Sequence, residues 1–197
     1  MSKNTKVLTG TAVLTAVVLI LQFVFGSIQV GPFTITLTMV PIIVGAALYG
    51  WKTSTLLGTV FGIVVVIQVI TGAAGAGSTM MLELNAPATI IVCILKGMMA
   101  GLVAGLAAEF IGKKNLWAGI LVAAILAPVV NTGIFCVGLV TIFNDLAKQW
   151  AVASNAASVG AYILAGIIGV NFVVELLVDV VLSPIILRII NAVQKSR

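Results

Sequence analysis

Four polar residues stand inside long apolar stretches in the second half of the chain, and their types suit binding rather than catalysis. Lys96 offers an ammonium group, Asn131 and Asn171 offer carboxamides, and Thr132 adds a hydroxyl. An ammonium pairs with anionic groups, and amides and hydroxyls exchange hydrogen bonds with neutral polar groups. Polar side chains at membrane depth are costly and usually face a bundle interior or a cavity. These residues therefore predict a binding site for a small polar ligand.

The residues on either side of Asn131 favour the same interpretation. Pro128 lies three residues before it, and proline inside a helix produces a kink and leaves a backbone carbonyl without its usual partner. Gly133 lies two residues after it and lets a neighbouring backbone or a ligand come close. We expect this segment to line the site.

Lys96 has two other interpretations. Its long side chain can extend to the membrane interface, or it can pair with Glu175 or Asp179. These two acids follow Asn171 at four-residue intervals, so all three share one helix face. For the acids we favour interhelical hydrogen bonds or pairing with basic residues at helix ends, and a proton relay is the functional alternative.

The composition identifies the class of protein. Of 197 residues, 61% are hydrophobic and 8% are charged, and the mean hydropathy is +1.29. A water-soluble surface needs far more charge, so the chain is predicted to be an integral membrane protein. It has no histidine, and Cys93 and Cys136 lie inside apolar segments. No nucleophile elbow, zinc-ligand set or pair of catalytic carboxylates is present, so we expect neither an enzyme nor a bound cofactor or metal.

The hydropathy pattern predicts an all-α fold, with six transmembrane helices in one compact bundle that forms a single domain over residues 1–197. The first apolar segment is too long for a signal peptide and lacks a good cleavage site, so it should be retained. The predicted spans are 7–25, 37–50, 54–71, 87–111, 116–143 and 159–191. Pro87 suits the first turn of the fourth span. Residues 26–36 and 144–158 are predicted to be loops, and residues 72–79 a flexible turn region.

The basic residues predict the orientation of these spans. Six spans put both termini on one side, and the short basic turns at Lys52 and at Lys113 and Lys114 fall on that side as well. The positive-inside rule therefore predicts a multi-pass membrane protein with both termini in the cytoplasm. At the rise of an α-helix, Lys96 then lies roughly 13 Å, and Asn131 and Asn171 roughly 18 Å, below the outer helix ends. Three polar side chains on three successive helices thus reach similar depths.

Other stretches suggest how the site is covered and how the chain packs. Residues 72–85 combine glycines with methionines, which predicts a mobile lid that could bring Asn85 to the ligand. Gly97, Gly101 and Gly105 form two successive GxxxG spacings, which favour close helix packing. Ala12 and Ala16 form a small-residue face in the half of span one that is predicted to be cytoplasmic.

The six-span layout, the Ala12–Ala16 spacing and the run Pro128-Val-Val-Asn-Thr-Gly133 resemble the S components of energy-coupling-factor (ECF) transporters. The resemblance covers the whole chain. Within the family, this run, Leu95-Lys-Gly97 and the stretch 36–45 are most similar to the pantothenate-specific members.

The resemblance implies the substrate-binding membrane subunit of a vitamin importer. Ala12 and Ala16 would dock on a transmembrane T component, which carries two cytoplasmic ATPases. Pantothenate has one carboxylate, two hydroxyls and an amide. Lys96 would bind the carboxylate, and Asn85, Asn131, Thr132 and Asn171 would bind the other groups.

Three alternatives stay open. The ligand could be another vitamin or precursor such as riboflavin, folate or a pyrimidine, although these flat ligands favour stacking residues and spans four to six contain few aromatics. The chain could instead be a stand-alone proton-coupled carrier that uses Glu175 and Asp179. It could also be a purely structural membrane subunit.

Overall fold

The computed structural model describes residues 3–26, 29–30, 33–34 and 37–195, and most of this chain is helical. The elements follow in the order α1 Lys3–Phe25, β1 Gln29–Val30, β2 Phe33–Thr34, α2 Met39–Tyr49, α3 Trp51–Ile70, α4 Ala76–Leu84, α5 Ala86–Gly112, α6 Leu116–Thr141, α7 Asn144–Ala153, α8 Val159–Tyr162, a π-helix Ile163–Phe172, and α9 Val173–Lys195.

Four of these helices are long and apolar enough to cross a membrane: α1, α3, α5 and α6. They coincide with predicted spans one, three, four and five. The second predicted span is the shorter apolar helix α2, whose 11 residues rise only about 16 Å. The sixth corresponds to α8, the π-helix and α9 in succession. The all-helical membrane class agrees with expectation, and the count of six spans stays a prediction.

Side-chain caps fix where the two central helices begin. The side-chain oxygen of Asn85 accepts a hydrogen bond from the Ala88 amide at 3.1 Å, and Asn115 does the same for Ala118 at 3.1 Å. Such caps satisfy amides that have no partner within the helix. Pro87 lies in the first turn of α5, where the loss of an N–H costs nothing. The ends of α5 and α6 are thus encoded locally.

Glycines bring α3 and α5 into backbone contact. A Cβ atom on Gly58 would overlap the carbonyl oxygen of Gly97, and one on Gly101 would overlap that of Ser54. Gly105 similarly faces Trp51. The close packing predicted from the GxxxG spacing is therefore confirmed, and α5 packs between α3 and α6 as the central helix of the bundle.

Three segments expected to be loops contain regular structure. In the first, β1 and β2 form a short antiparallel pair with Gln29 opposite Thr34. In the second, α4 occupies most of the glycine-rich stretch before Asn85. The third, a predicted loop over 144–158, contains the amphipathic helix α7, which buries Leu146, Ala147 and Ala151. The loop predictions were wrong here because packing of an apolar face outweighs weak local propensity.

The buried side chains form two clusters. The larger joins α2, α3, α5, α6 and the second half of α9. The smaller is formed where α4, α7 and α8 pack against α5 and α6 around Phe135 and Leu139. Residues of both clusters line one cavity, which therefore lies where they meet.

Candidate functional site

A cavity between the two clusters gathers polar side chains from several helices. Its empty space is about 720 Å³, with the solvent-open part included. The lining residues come from α1, α3, the segment after α3, α4, α5, α6, the π-helix and α9: Gln22, Val65, Ala74, Ser78, Met81, Thr89, Cys93, Lys96, Asn131, Thr132, Phe135, Ile167 and Glu175.

Lys96 directs its charged end into this region. Its side chain lines the cavity from α5, and its Nζ lies 5.2 Å from the centroid of the Phe135 ring on α6. The face of an aromatic ring attracts a cation, so Phe135 helps to hold the ammonium in place. A ring cannot replace the hydrogen bonds that water gives to an ammonium, so the group retains donors for a ligand.

Asn131 and Thr132 line the same cavity from α6. Asn131 is buried, with 5% of its surface exposed, and its Oδ1 has no hydrogen-bond partner among the residues that the structure describes. A buried polar atom without a partner is costly, since desolvation is not repaid. A ligand that donates a hydrogen bond to this oxygen would satisfy it. The helix α6, which carries Asn131 and Thr132, continues without a break through the buried Pro128.

Not every predicted site residue lines the cavity. Asn85 is exposed, and its side-chain oxygen caps α5 instead. Gly133 is also exposed, and no atom lies within 4 Å of the place where its Cβ would be, so no neighbouring backbone comes close to it. Asn171 falls in the π-helix, and its side chain lies outside the described part of the chain.

A hydrogen-bonded network that sequence analysis missed adjoins the cavity. Gln22 of α1 donates from Nε2 to Gln68 Oε1 of α3 at 2.7 Å, and Thr38 donates from Oγ1 to Gln22 Oε1 at 2.6 Å. Gln68 donates in turn to the Gln22 carbonyl at 2.9 Å. All three side chains are buried, so the network holds α1 and the start of α2 against α3. The two glutamines could have been found in the same way as Asn131, because they too are polar residues inside apolar spans.

The helix α4 covers part of the cavity. Ser78 and Met81 contact the space, and Met81 is almost completely buried. The predicted lid segment is thus largely a short helix, preceded by Gly72 and Gly75 at φ values of 78° and 90°. Glycine adopts these values without strain, which permits the sharp turns between α3 and α4. Motion of the lid stays a prediction.

Glu175 belongs to the cavity as well. It lies in the first turn of α9, is 5% exposed, and lines the same space as Lys96. The sequence had favoured a structural role for Glu175, in interhelical hydrogen bonds or in pairing with basic residues at helix ends. The linear count of helix rise could not anticipate the π-helix before it, which has more residues per turn and changes which residues face the bundle.

A known protein family matches most of this chain. The model of the ECF transporter substrate-specific component family matches residues 6–187. The chain belongs to this family. Searches of curated proteins and of solved structures gave no match.

Membership assigns the general role of the chain. An ECF S component is a substrate-binding membrane subunit rather than an enzyme, and it works with a T component and ATPases on a small-molecule substrate. The cavity around Lys96 is the candidate substrate site of this S component, because polar side chains from several helices converge on it.

The small-residue face of α1 is open. Ala12 and Ala16 are both exposed, and α1 carries further exposed apolar residues, among them Leu8 and Val13. Only 17% of the residues in its apolar 18-residue stretch are buried within the chain. Another helix can therefore approach α1 closely at the two alanines.

Proposed function

We propose that this S component binds pantothenate and imports it together with a T component and two cytoplasmic ATPases. The observation that carries the proposal is the convergence of Lys96, Asn131 and Thr132 on one cavity. An ammonium, a carboxamide and a hydroxyl match the polar groups of pantothenate. The resemblance of the runs at Lys96 and Asn131 to the pantothenate-specific member of the family, PanT, supports the same substrate.

Each group of the ligand then has a partner. Lys96 binds the carboxylate by a charge-assisted hydrogen bond. Asn131 Oδ1 accepts from a hydroxyl or the amide N–H, and Thr132 exchanges hydrogen bonds with these groups. Asn171 is proposed as a further contributor. Asn85 is not part of this set, since its oxygen is engaged in capping α5.

The aromatic content of the cavity favours this ligand over flat ones. Phe135 is the one aromatic side chain among the described lining residues, and the Lys96 ammonium lies over its ring. Recognition of riboflavin, folate or a pyrimidine is usually supported by stacking on aromatic rings. A flexible ligand with hydroxyl and amide groups makes better use of the available donors and acceptors.

The proposed arrangement in the membrane has six spans, a bacterial cell membrane and both termini in the cytoplasm. The basic turns at Lys52 and at Lys113 and Lys114 support this orientation. In it, α4, α7 and α8 lie on the external side, so the cavity is nearer the outer surface.

Ligand analysis of the purified chain tests the proposal. We expect pantothenate to co-purify with the protein in detergent, as seen by mass spectrometry, and to bind saturably in isothermal titration calorimetry after its removal. Riboflavin and folate serve as controls and should show no heat of binding. Co-purification of a flat vitamin would reject pantothenate, and uptake by the chain alone in proteoliposomes under a pH gradient would favour the carrier alternative.

A double substitution tests the proposed docking face. Ala12→Leu with Ala16→Leu should abolish co-purification of the T component and ATPases, because the added side chains prevent close helix approach. Pantothenate affinity should be unchanged, since neither alanine lines the cavity. Ala157→Leu, at an exposed alanine in the loop after α7, is the matched control. An intact complex with the double variant would show that this face is not the docking site.

A further inference from the structure

The helix α9 carries two buried acidic residues on one face, and the first of them lines the cavity. Glu175 is 5% exposed and lines the cavity. Asp179 lies one turn further on the same face and is 1% exposed, but it is not among the described residues that line the space. The described residues that line the cavity thus include one acidic and one basic side chain, Glu175 and Lys96, together with neutral polar and apolar groups.

We infer that Glu175 is a specificity-determining residue of the site: its carboxylate accepts hydrogen bonds from hydroxyl groups of the ligand and excludes ligands with a second anionic group. This inference rests on the proposed function and adds to it a rule about the charge of the substrate. In this arrangement, Lys96 binds the carboxylate of the ligand, and Glu175 accepts hydrogen bonds from its hydroxyl groups.

The physical basis is the burial of Glu175, which is 5% exposed. Apolar side chains from both clusters, including Val65, Met81 and Ile167, form much of the cavity wall. Charges interact far more strongly in such surroundings than in water. A second anion beside Glu175 would be repelled and left without a partner, whereas a hydroxyl donates to the carboxylate. Specificity of this kind comes from a repulsive element as much as from attraction.

Other polar groups that line the cavity can bind the same hydroxyl groups of the ligand. Ser78 and Thr132 contribute hydroxyls, and Gln22 contributes a carboxamide already engaged with Gln68 and Thr38. These groups can complete the hydrogen bonds of a diol that donates to Glu175. Lys96 in the same cavity supplies the positive charge that a buried carboxylate needs.

The test compares ligands first and variants second. Binding of pantothenate, of pantothenate phosphorylated on its terminal hydroxyl, and of an analogue lacking that hydroxyl is measured calorimetrically with the wild-type chain. We expect the phosphorylated and deoxy ligands to bind at least about tenfold more weakly than pantothenate. With Glu175→Gln, the disadvantage of the phosphorylated ligand should shrink by at least about tenfold, because the repelling charge is gone.

Asp179→Asn provides the matched control, as it replaces a buried carboxyl group by a carboxamide on the same helix face outside the cavity lining. It should leave the ratio of the two affinities nearly unchanged. Simple loss of folding cannot imitate the expected gain for the phosphorylated ligand, and the wild-type comparison needs no variant.

The outcomes separate the inference from the function on which it rests. If the wild-type chain binds none of the three ligands, the pantothenate proposal fails and this inference fails with it. If pantothenate binds but its phosphorylated form binds equally well, the inference alone is overturned. Equal changes of the affinity ratio in Glu175→Gln and Asp179→Asn would also overturn it, because the effect would then not depend on contact with the cavity.

Discussion

Replacing Lys96 by alanine is expected to weaken pantothenate binding by more than about tenfold, since a hydrogen bond to a charged group contributes about 1.5–3 kcal/mol and about 1.4 kcal/mol is tenfold in affinity. The half-buried ammonium lines the cavity beside Phe135, where little water can replace it as a partner for the ligand carboxylate. Calorimetric titration of the purified variant measures the effect, and an unchanged melting temperature would show that folding is intact.

Two controls make this result specific. Lys148→Ala removes an exposed lysine that pairs with Asp145 at 3.0 Å outside the cavity, and it should not change the affinity. Pantothenol, which carries an alcohol in place of the carboxylate, should bind the wild-type chain and Lys96→Ala with similarly low affinity. Pantothenate binding that survives loss of the lysine would reject its role as the carboxylate partner.

Replacing Gly58 by alanine is expected to destabilise the chain by about 1–3 kcal/mol, the usual cost of overpacking. The added methyl would overlap the carbonyl oxygen of Gly97, and backbone atoms cannot move aside as a flexible side chain can. The helices α3 and α5 would have to separate along their contact. Thermal unfolding in detergent should show a lower melting temperature, and size-exclusion chromatography should show less monodisperse protein.

Gly133→Ala is the matched control for this substitution. It introduces the same methyl group into a membrane helix, at a position where no atom lies within 4 Å of the new Cβ. Because alanine has a higher helix propensity than glycine, this variant should be as stable as the wild type or slightly more so. Similar melting temperatures for both variants would mean that α3 and α5 are not in close contact.

The membrane class and the main helices could be predicted from local signals. Long apolar runs predicted α1, α3, α5 and α6, and Pro87 indicated where α5 begins. The GxxxG spacing predicted a closely packed face, although it did not identify α3 as the partner. These signals are reliable because a chain in lipid must satisfy its own backbone hydrogen bonds, which makes helices the default.

The candidate site was predicted only in part. Lys96, Asn131 and Thr132 were found because polar groups at membrane depth are rare and costly. The same criterion would have indicated Gln22 and Gln68. Asn85 was assigned to the ligand from its place in a lid, whereas the structure uses its side chain to cap a helix. A sequence does not reveal which of two uses a polar side chain has.

By itself, the sequence determined that this is a helical membrane protein and that its middle helices pack through glycines. It also predicted that an amine and a carboxamide lie at similar depths. Only the tertiary structure decided that these groups share one cavity, that Glu175 joins them, and that α4 covers the space. The reason is physical: hydropathy and helix periodicity act within one segment, whereas a cavity depends on how helices rotate and cross. The π-helix before α9 alters that rotation, and no local pattern in the residues predicts this π-helix.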